Sequence, residues 1–377
     1  EKKLIDLKMY SVFRNLFMCN SRVLTSVEKE GLYLDTEFNQ KLLEEYKPKI
    51  DAARQAIYDL PRVKKFTKKY NQVKIEKYIE SIEAELEELD YNDPKDKRKI
   101  DSREQKISNI RAGIFTTKKE QELIRPLNLS SPVDLPQLMY SDSGFKFPVI
   151  KNNESGKPST DEDTLVELRL TVKDPESPKA IFLDKLLELR GLQKMYTTYI
   201  EGWHEKVQDD SRLHGRYNIH GTDSNRFSSA DPNMQQIPKT SVDPNIKKQL
   251  VAPPGYLYMA FDYSQAELRM MAHLSGDETY LEAFAKGVDP HLGIAAAKYG
   301  VSIEEASKAY EDETHPDYKL WKVRRKQAKQ IAFGLIYGIG NKLLAVKLSD
   351  PKAGIIVTPE EAAKEMEVFF GQHPKIR

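Results

Sequence analysis

The sequence predicts an α+β chain built mostly of long helices, and three observations predict it. Apolar residues recur at three- and four-residue spacing over much of the first 125 positions and again toward the C-terminal end. Only short stretches read as strands, at residues 31–34, 212–219 and 256–261. Charged residues make up 31% of the chain against 39% hydrophobic, with a mean hydropathy of −0.62, which fits helices with one wet face better than a sheet sandwich. A length of 377 residues allows roughly two to three domains. Cys19 is the single cysteine, so no intrachain disulfide can form. No secretory apolar stretch and no membrane-length run is present, so the expected setting is reducing and cytoplasmic, without a membrane partner. Lys and Arg total 59 against 58 Asp and Glu, so a surface for a polyanion has to come from the distribution of charge. The chain starts on Glu1 rather than Met and stops at Arg377 in mid-pattern, as a piece of a longer protein would.

Taken in order, residues 1–34 read as a helix with Leu4, Leu7, Val12, Leu16, Val23 and Leu24, entering a short strand at Gly31–Leu34. From Thr36 to Arg125 the pattern is almost all helical, with Ile75, Ile79, Ile82, Leu86 and Leu89 as an apolar seam. Residues 80–93 carry seven carboxylates, Asn92-Asp93-Pro94 turns the chain, and the returning limb is rich in Lys and Arg. Opposite charge on the limbs suits an antiparallel hairpin, either simply solvated or serving as an interaction surface. The polar string at 151–164 is a loop tip. Its Gly156-Lys157 pair is no phosphate loop, because Lys151 stands where the first glycine would be needed and Pro158 follows the lysine. A helix with Leu183, Leu186, Leu187 and Leu192 runs from Ala180 to about Trp203. Arg212–Ile219 alternates like a strand, and a structured loop follows to Pro238. The apolar run Tyr256–Phe261, bounded by Pro253-Pro254-Gly255, reads as a buried strand ending on Asp262. Helices fill the rest, including a long one from about Lys319 to Gly338.

Three stretches carry chemistry. In FDYSQAELR, residues 261–269, a carboxylate at the end of a strand suits a hard divalent ion. The plainer alternative makes Asp262 or Ser264 the N-cap of the helix that follows. On the long helix Arg325, Lys329, Phe333 and Tyr337 recur every fourth position, and residues 319–347 hold eight basic residues and no acidic one. Cations at one end of a face and rings at the other match a nucleotide, although a basic amphipathic helix with a core aromatic has the same spacing. Gly334 and Gly338 are costly within a helix and imply a close approach to the backbone. The third stretch, Arg212–Pro238, is dense in donors able to reach phosphates and minor-groove acceptors, as many polar loops are.

Together and in this order these stretches resemble the family A DNA polymerases, the group of bacterial polymerase I and many phage replicative enzymes. DYSQAELR at 262–269 is similar to motif A. Arg325 with KQAKQIAFGLIYG through Gly338 is similar to motif B, and NRFSSADPNMQQIP to the element that precedes motif A. LDKLLELRGLQKMYTTYI at 183–200 resembles the long thumb helix, and AHLSGDE at 272–278 the segment after motif A. The likeness covers roughly residues 128–377, and 1–60 more weakly.

The resemblance implies a right-hand polymerase fold, C-terminally incomplete. A palm entry helix and strand would occupy 1–35, and a thumb 36–203 with an inserted charged hairpin at about 64–125. The palm part with the motif A strand would occupy 204–262, and part of the fingers 263–377. It implies template-directed DNA synthesis with two Mg2+ ions on Asp262 and the Tyr263 carbonyl. Arg325, Lys329 and His291 would clamp the triphosphate, Phe333 would pack on the incoming sugar and base, and Glu267 with Tyr337 would crowd a ribose 2′-hydroxyl. Arg226, Asn233, Gln235, Gln236 and Gln265 would touch primer and template near the minor groove, and Gln265 would also bind the nucleotide. His291 on its own is more often an ordinary surface histidine, so its assignment rests mainly on the resemblance. Asn225 stands in place of a family glycine and Ala266 in place of a larger aliphatic residue. The hairpin of motif C, with its second catalytic carboxylate, is not found. The doublets Asp161-Glu162, Asp277-Glu278 and Asp312-Glu313 lie in polar loops or helix ends instead. Implied partners are therefore primer-template DNA, deoxynucleoside triphosphates, a processivity factor at the thumb hairpin and a second chain carrying motif C. A noncatalytic primer-template or nucleotide-binding subunit of a split polymerase is the alternative.

Overall fold

A computed structural model describes residues 1–224, 226–349 and 357–376. The chain divides into two compact units, residues 1–162 with 175–259 and residues 163–174 with 260–377.

In the first unit the expected N-terminal helix is interrupted. Lys8 is left-handed at φ 57°, so a short helix ends before it; the chain is helical again from Tyr10 and, through a π-helical stretch at Phe13–Phe17, runs on as α1 (Met18–Glu30). The strand β1 (Leu32–Tyr33) leads to α2 (Thr36–Tyr58), whose N-terminus is capped by Asp35 accepting from the Phe38 N–H at 2.9 Å. Pro61 then opens α3 (Pro61–Glu87), which turns back as α4 (Lys97–Arg111). Ile79, Ile82 and Leu86 bury against Ile100, Ile107 and Ile110. Arg103 and Arg111 of the return limb reach Glu85 and Glu83 at 2.9 and 2.8 Å. The antiparallel hairpin expected from charge is therefore formed, with carboxylates of one limb met by guanidinium groups of the other.

Beyond the hairpin, α5 (Asp134–Tyr140) and α6 (Pro178–Lys194) frame a stack in which the Phe145 and Phe182 rings lie 4.3 Å apart. Helix α6 packs along α2 and continues through a π-helical turn to His204. Leu34, Leu42, Tyr199, Trp203 and Leu213 form the core between them. At its centre Asn39 donates to the Ile200 carbonyl and to Gln249 Oε1 at 2.9 and 2.7 Å, which satisfies a fully buried amide. Residues 212–219 form two short strands, β2 (Arg212–Leu213) and β3 (Arg216–Asn218). β2 pairs antiparallel with β1, and β3 with β4 (Ser228–Ala230).

Residues 256–261 correct the expectation of a buried strand. Leu257 and Phe261 are 91% and 88% exposed, and among the described residues 257–263 neither donate nor accept a backbone hydrogen bond. A strand is made by its neighbours, and among the described residues no strand pairs with this run.

The second unit is helical, with α7 (Ala266–Ser275), α8 (Glu278–Ala285), α9 (Pro290–Lys298), α10 (Ile303–Glu311), α11 (Tyr318–Ile336), α12 (Asn341–Leu348) and α13 (Pro359–Gln372). Helix α11 is its axis. Trp321 and Ala328 pack toward α9 and α10, Ile331 and Leu335 toward α12 and α13, and Phe333 toward Leu268 and Ala272 of α7. Buried His373, just past α13, sits 3.2 Å from Asp277, which also caps α8.

Candidate functional site

The site grows from the two ends of α11. At its C-terminal end Tyr337 is the capping residue and Gly338 follows at φ 70°. Gly338 N–H donates to the Leu335 carbonyl at 3.0 Å and Ile339 N–H to that of Gly334 at 2.9 Å, the paired bonds of a Schellman turn. A Cβ on Gly334 would meet the Ile339 side chain at 2.8 Å. The close approach expected at Gly334 is thus made by Ile339, one turn on, and Gly338 serves the left-handed turn, so no ligand is needed to explain either. The turn leaves Tyr337 projecting and 64% exposed, and its hydroxyl donates to Glu267 Oε2 at 2.7 Å.

Glu267 lies in the first turn of α7, and the start of that helix departs from expectation. Neither Asp262 nor Ser264 caps it. Gln265 occupies the N-cap position in the left-handed region, φ 54°, with no capping side-chain bond. Arg269 Nε instead donates to the Ser264 carbonyl at 3.0 Å. Gln265 Oε1 is buried without a partner, while Asp262 and Tyr263 are exposed.

Toward the other end of α11, Arg325 and Lys329 stand one turn apart. Arg325 donates through Nε and Nη2 to Asp289 Oδ2 at 3.0 and 2.5 Å and lies over the Tyr310 ring. The other oxygen of Asp289 accepts from the His291 and Leu292 N–H groups at 2.9 and 3.1 Å, capping α9. Burial raises the Asp289 carboxyl, but the Arg325 and Leu292 hydrogen bonds outweigh it and leave its pKa below the ordinary carboxylate value. His291 is 1% exposed, and neither ring nitrogen has a partner. Burial, reinforced by Arg325 and Lys329, pushes its pKa down to about 4, so the ring is neutral at pH 7. Phe333 joins the group, with its ring 5.6 Å from the His291 ring and 5.4 Å from Lys329 Nζ.

The fold therefore gathers His291, Arg325, Lys329 and Phe333, and ties Tyr337 to Glu267. Asp289 was missed by sequence reasoning. Its signal was Asp-Pro at a helix start, which reads as a cap and says nothing of the arginine 36 residues away.

The residues that the resemblance assigns to DNA lie in the first unit. Asn233 Oδ1 accepts from the Gln235 N–H at 3.0 Å, and the Gln236 carbonyl accepts from the Tyr199 hydroxyl at 2.7 Å. The exposed Arg226 has its carbonyl held by Thr222 Oγ1 at 2.8 Å, and Asn225 falls outside the described residues.

The part of the chain from residue 97 to 377 matches the model of DNA polymerase family A. This chain belongs to that family. DNA polymerase I of Pseudomonas aeruginosa is 35% identical over 251 residues, 66% of this chain and 24% of the relative. The thermostable DNA polymerase I of Thermus thermophilus is 35% identical over 265 residues, 68% of this chain and 28% of the relative. The POL domain of Pol1 from M. smegmatis, solved in complex with DNA primer-template and dNTP, superposes with a TM-score of 0.65 at 25% identity, covering 100% of this chain and 50% of that one. The chain thus spans about a quarter of the curated relatives' length, and its fold is the α+β fold of the family A polymerases.

A pair of Mg2+ ions is not matched by the residues present. Among the described residues no three His, Cys, Asp or Glu side chains gather as a metal site. The acidic doublets are engaged elsewhere: Asp161 with Lys151, Asp277 with His373, and Asp312 and Glu313 with Thr314 and Tyr318. One carboxylate at Asp262 and one carbonyl are too few donors for two divalent ions. No helix among the described residues is long and apolar enough to cross a membrane.

Proposed function

We propose that this chain is part of a template-directed DNA polymerase that adds deoxynucleoside triphosphates to a primer 3′-hydroxyl in the cytoplasm of a bacterial or phage-infected cell. The observation that carries the reading is the Tyr337–Glu267 hydrogen bond, which joins the motif A and motif B segments across 70 residues. In this reading Glu267, held from behind by Tyr337, crowds a ribose 2′-hydroxyl, and Phe333 packs on the incoming sugar and base. Arg325, Lys329 and His291 receive the triphosphate. The unpartnered ring nitrogens of neutral His291 support that role, because one of them carries a proton to donate. Gln265 stands between nucleotide and primer end, and Arg226, Asn233, Gln235 and Gln236 contact primer and template. The primer-template and dNTP of the M. smegmatis complex support both sets of partners. Two-ion chemistry at Asp262 and Tyr263 requires carboxylates beyond those described, so the residues described here bind and orient the nucleotide.

The test is Glu267→Ala in the complete enzyme. Ribonucleotide incorporation rises relative to deoxynucleotide, and Tyr337→Phe reproduces part of the rise; an unchanged ratio refutes the assignment. A processivity factor at the α3–α4 hairpin extends the reading, and deleting the hairpin then shortens the products made per binding event. The lone carboxylate at Asp262 favours a second reading, a noncatalytic primer-template or nucleotide-binding subunit. Metal-dependent incorporation once a second chain supplies motif C decides against it.

A further inference from the structure

The second unit holds a cleft that takes no part in the nucleotide reading. It opens between α8, α9 and the end of α13, with a volume of about 290 Å³. That is many times the roughly 10–15 Å³ one bridging water requires, and it lies at the small end of the range for small-molecule sites, about 300–1,000 Å³. The cleft deepens from an exposed rim at Thr279 and Gln372, past half-buried Gly293 and Ile294, to the buried side chains of Tyr280 and His373.

Two features point to an occupant. Gly293 stands inside α9, where its N–H donates to the Asp289 carbonyl at 3.0 Å, and a Cβ there would meet nothing within 4 Å. Neither a left-handed backbone nor a close neighbour asks for glycine at this position, and glycine is a poor helix former. Its effect is to keep one wall of the cleft open. At the bottom, Tyr280 and His373 are each 1% exposed, and among the described residues the Tyr280 hydroxyl and His373 Nε2 have no hydrogen-bond partner. Buried polar atoms left in that state cost stability.

The chemistry of these two groups narrows the ligand. Their rings lie 4.8 Å apart. His373 Nδ1 faces Asp277 Oδ1 at 3.2 Å, so in the neutral ring Nδ1 carries the proton and Nε2 is an acceptor. Burial, reinforced by Asp277, raises the pKa of the Tyr280 hydroxyl above its ordinary value, so the hydroxyl stays protonated and can donate. A neutral hydroxyl answers both groups, donating to Nε2 and accepting from Tyr280. Buried Asp277 beside His373 disfavours an anion, and no carboxylate lines the cleft to pair with a cation. The apolar wall at Ile294 and the open space at Gly293 suit a flat ring carrying that hydroxyl.

We propose that this cleft binds a neutral, compact hydroxyaromatic molecule of the phenol class, its hydroxyl on Tyr280 and His373 and its ring against Gly293. The site stands apart from the polymerase reading, and the ribonucleotide ratio at Glu267 bears on it in neither direction. The test titrates phenol, toluene and benzoate into the 377-residue chain at neutral pH, with binding read by ligand-observed NMR. Phenol saturates one site with a dissociation constant of about 1 mM, ordinary for so small a ligand. Toluene, which lacks the hydroxyl, binds about fivefold more weakly, and benzoate does not bind. Tyr280→Phe weakens phenol about fivefold and leaves toluene unchanged. Gly293→Leu fills the cleft and abolishes phenol binding. The proposal is overturned by phenol that fails to saturate below about 20 mM, or by toluene or benzoate binding as tightly as phenol. Undiminished phenol binding in a Gly293→Leu chain with wild-type thermal unfolding also overturns it. Should that variant fail to fold, Tyr280→Phe decides alone, and a phenol affinity equal to that of the wild type removes the site.

Discussion

Helix α11 and the run at 256–263 carry the two strongest chemical patterns of the chain, and they end in opposite states. The helix satisfies its own backbone, ends on a Schellman turn, and buries Trp321, Ile331 and Leu335 against four neighbouring helices. The 256–263 run is as apolar, yet it stands without a ladder and with its side chains in solvent. A helix closes its hydrogen bonds within one segment, whereas a strand depends on a second one. The groups anchored on α11, to which the proposed function gives the nucleotide, are therefore held in place, while the lone carboxylate at the end of the run is not.

The sharpest way to break this contrast is activity. The chain of 377 residues is expected to bind primer-template DNA with strong salt dependence and to fail to extend it, as read by single-nucleotide addition. Robust extension would mean that Asp262 is completed by a carboxylate already present. Next in size is stability. Leu335→Ala should cost about 2–5 kcal/mol in denaturant unfolding, whereas Leu257→Ala stays within about 0.5 kcal/mol. Equal losses would show that the run is buried in solution.

A comparable effect comes from pH. His291 titrates near 4 in the folded chain against 6.5 for a free imidazole. The unfolded chain takes up the proton first, so the stability contributed by the neutral ring is present above about pH 6.5 and is lost as the pH falls through about 4, up to about 3 kcal/mol in all. His291→Gln should flatten that window in urea titrations run at several pH values. The smallest effect belongs to Gly338→Ala. Its Cβ meets nothing within 4 Å, so the cost is the left-handed backbone alone, about 1 kcal/mol, read as a small drop in Tm.

Much of this was legible in the sequence wherever a pattern is closed locally. The hairpin at 61–111, the helix at 318–336 and the turn between the limbs follow from spacing, charge and Asn-Asp-Pro. The pairing of Glu267 with Tyr337 was legible only through family resemblance, since nothing in either segment names the other. What failed was long-range or conformational. The run 256–261 was read as buried because apolar composition records a preference for burial and not the presence of a partner. The cap of α7 was assigned to Asp262 or Ser264 by residue type, but the chain turns in through a left-handed Gln265. Gly334 of α11 pointed to a close approach without saying that Ile339 makes it. Asp289 went unnoticed because its second oxygen finds its use only in the folded chain.

The uncovered run also bears on how the protein behaves in a tube. Tyr256-Leu257-Tyr258-Met259-Ala260-Phe261 is a six-residue window with no charge and no proline, the composition of a cross-β zipper. Its only gatekeepers are Pro253 and Pro254 on one side and Asp262 on the other. Asp262 is thus the charge placed next to this window, where it would oppose pairing with a second copy. Replacing it with a neutral residue to probe chemistry would also remove the nearest charge opposing concentration-dependent self-association. Loss of activity in such a variant has to be read against the fraction that stays monomeric.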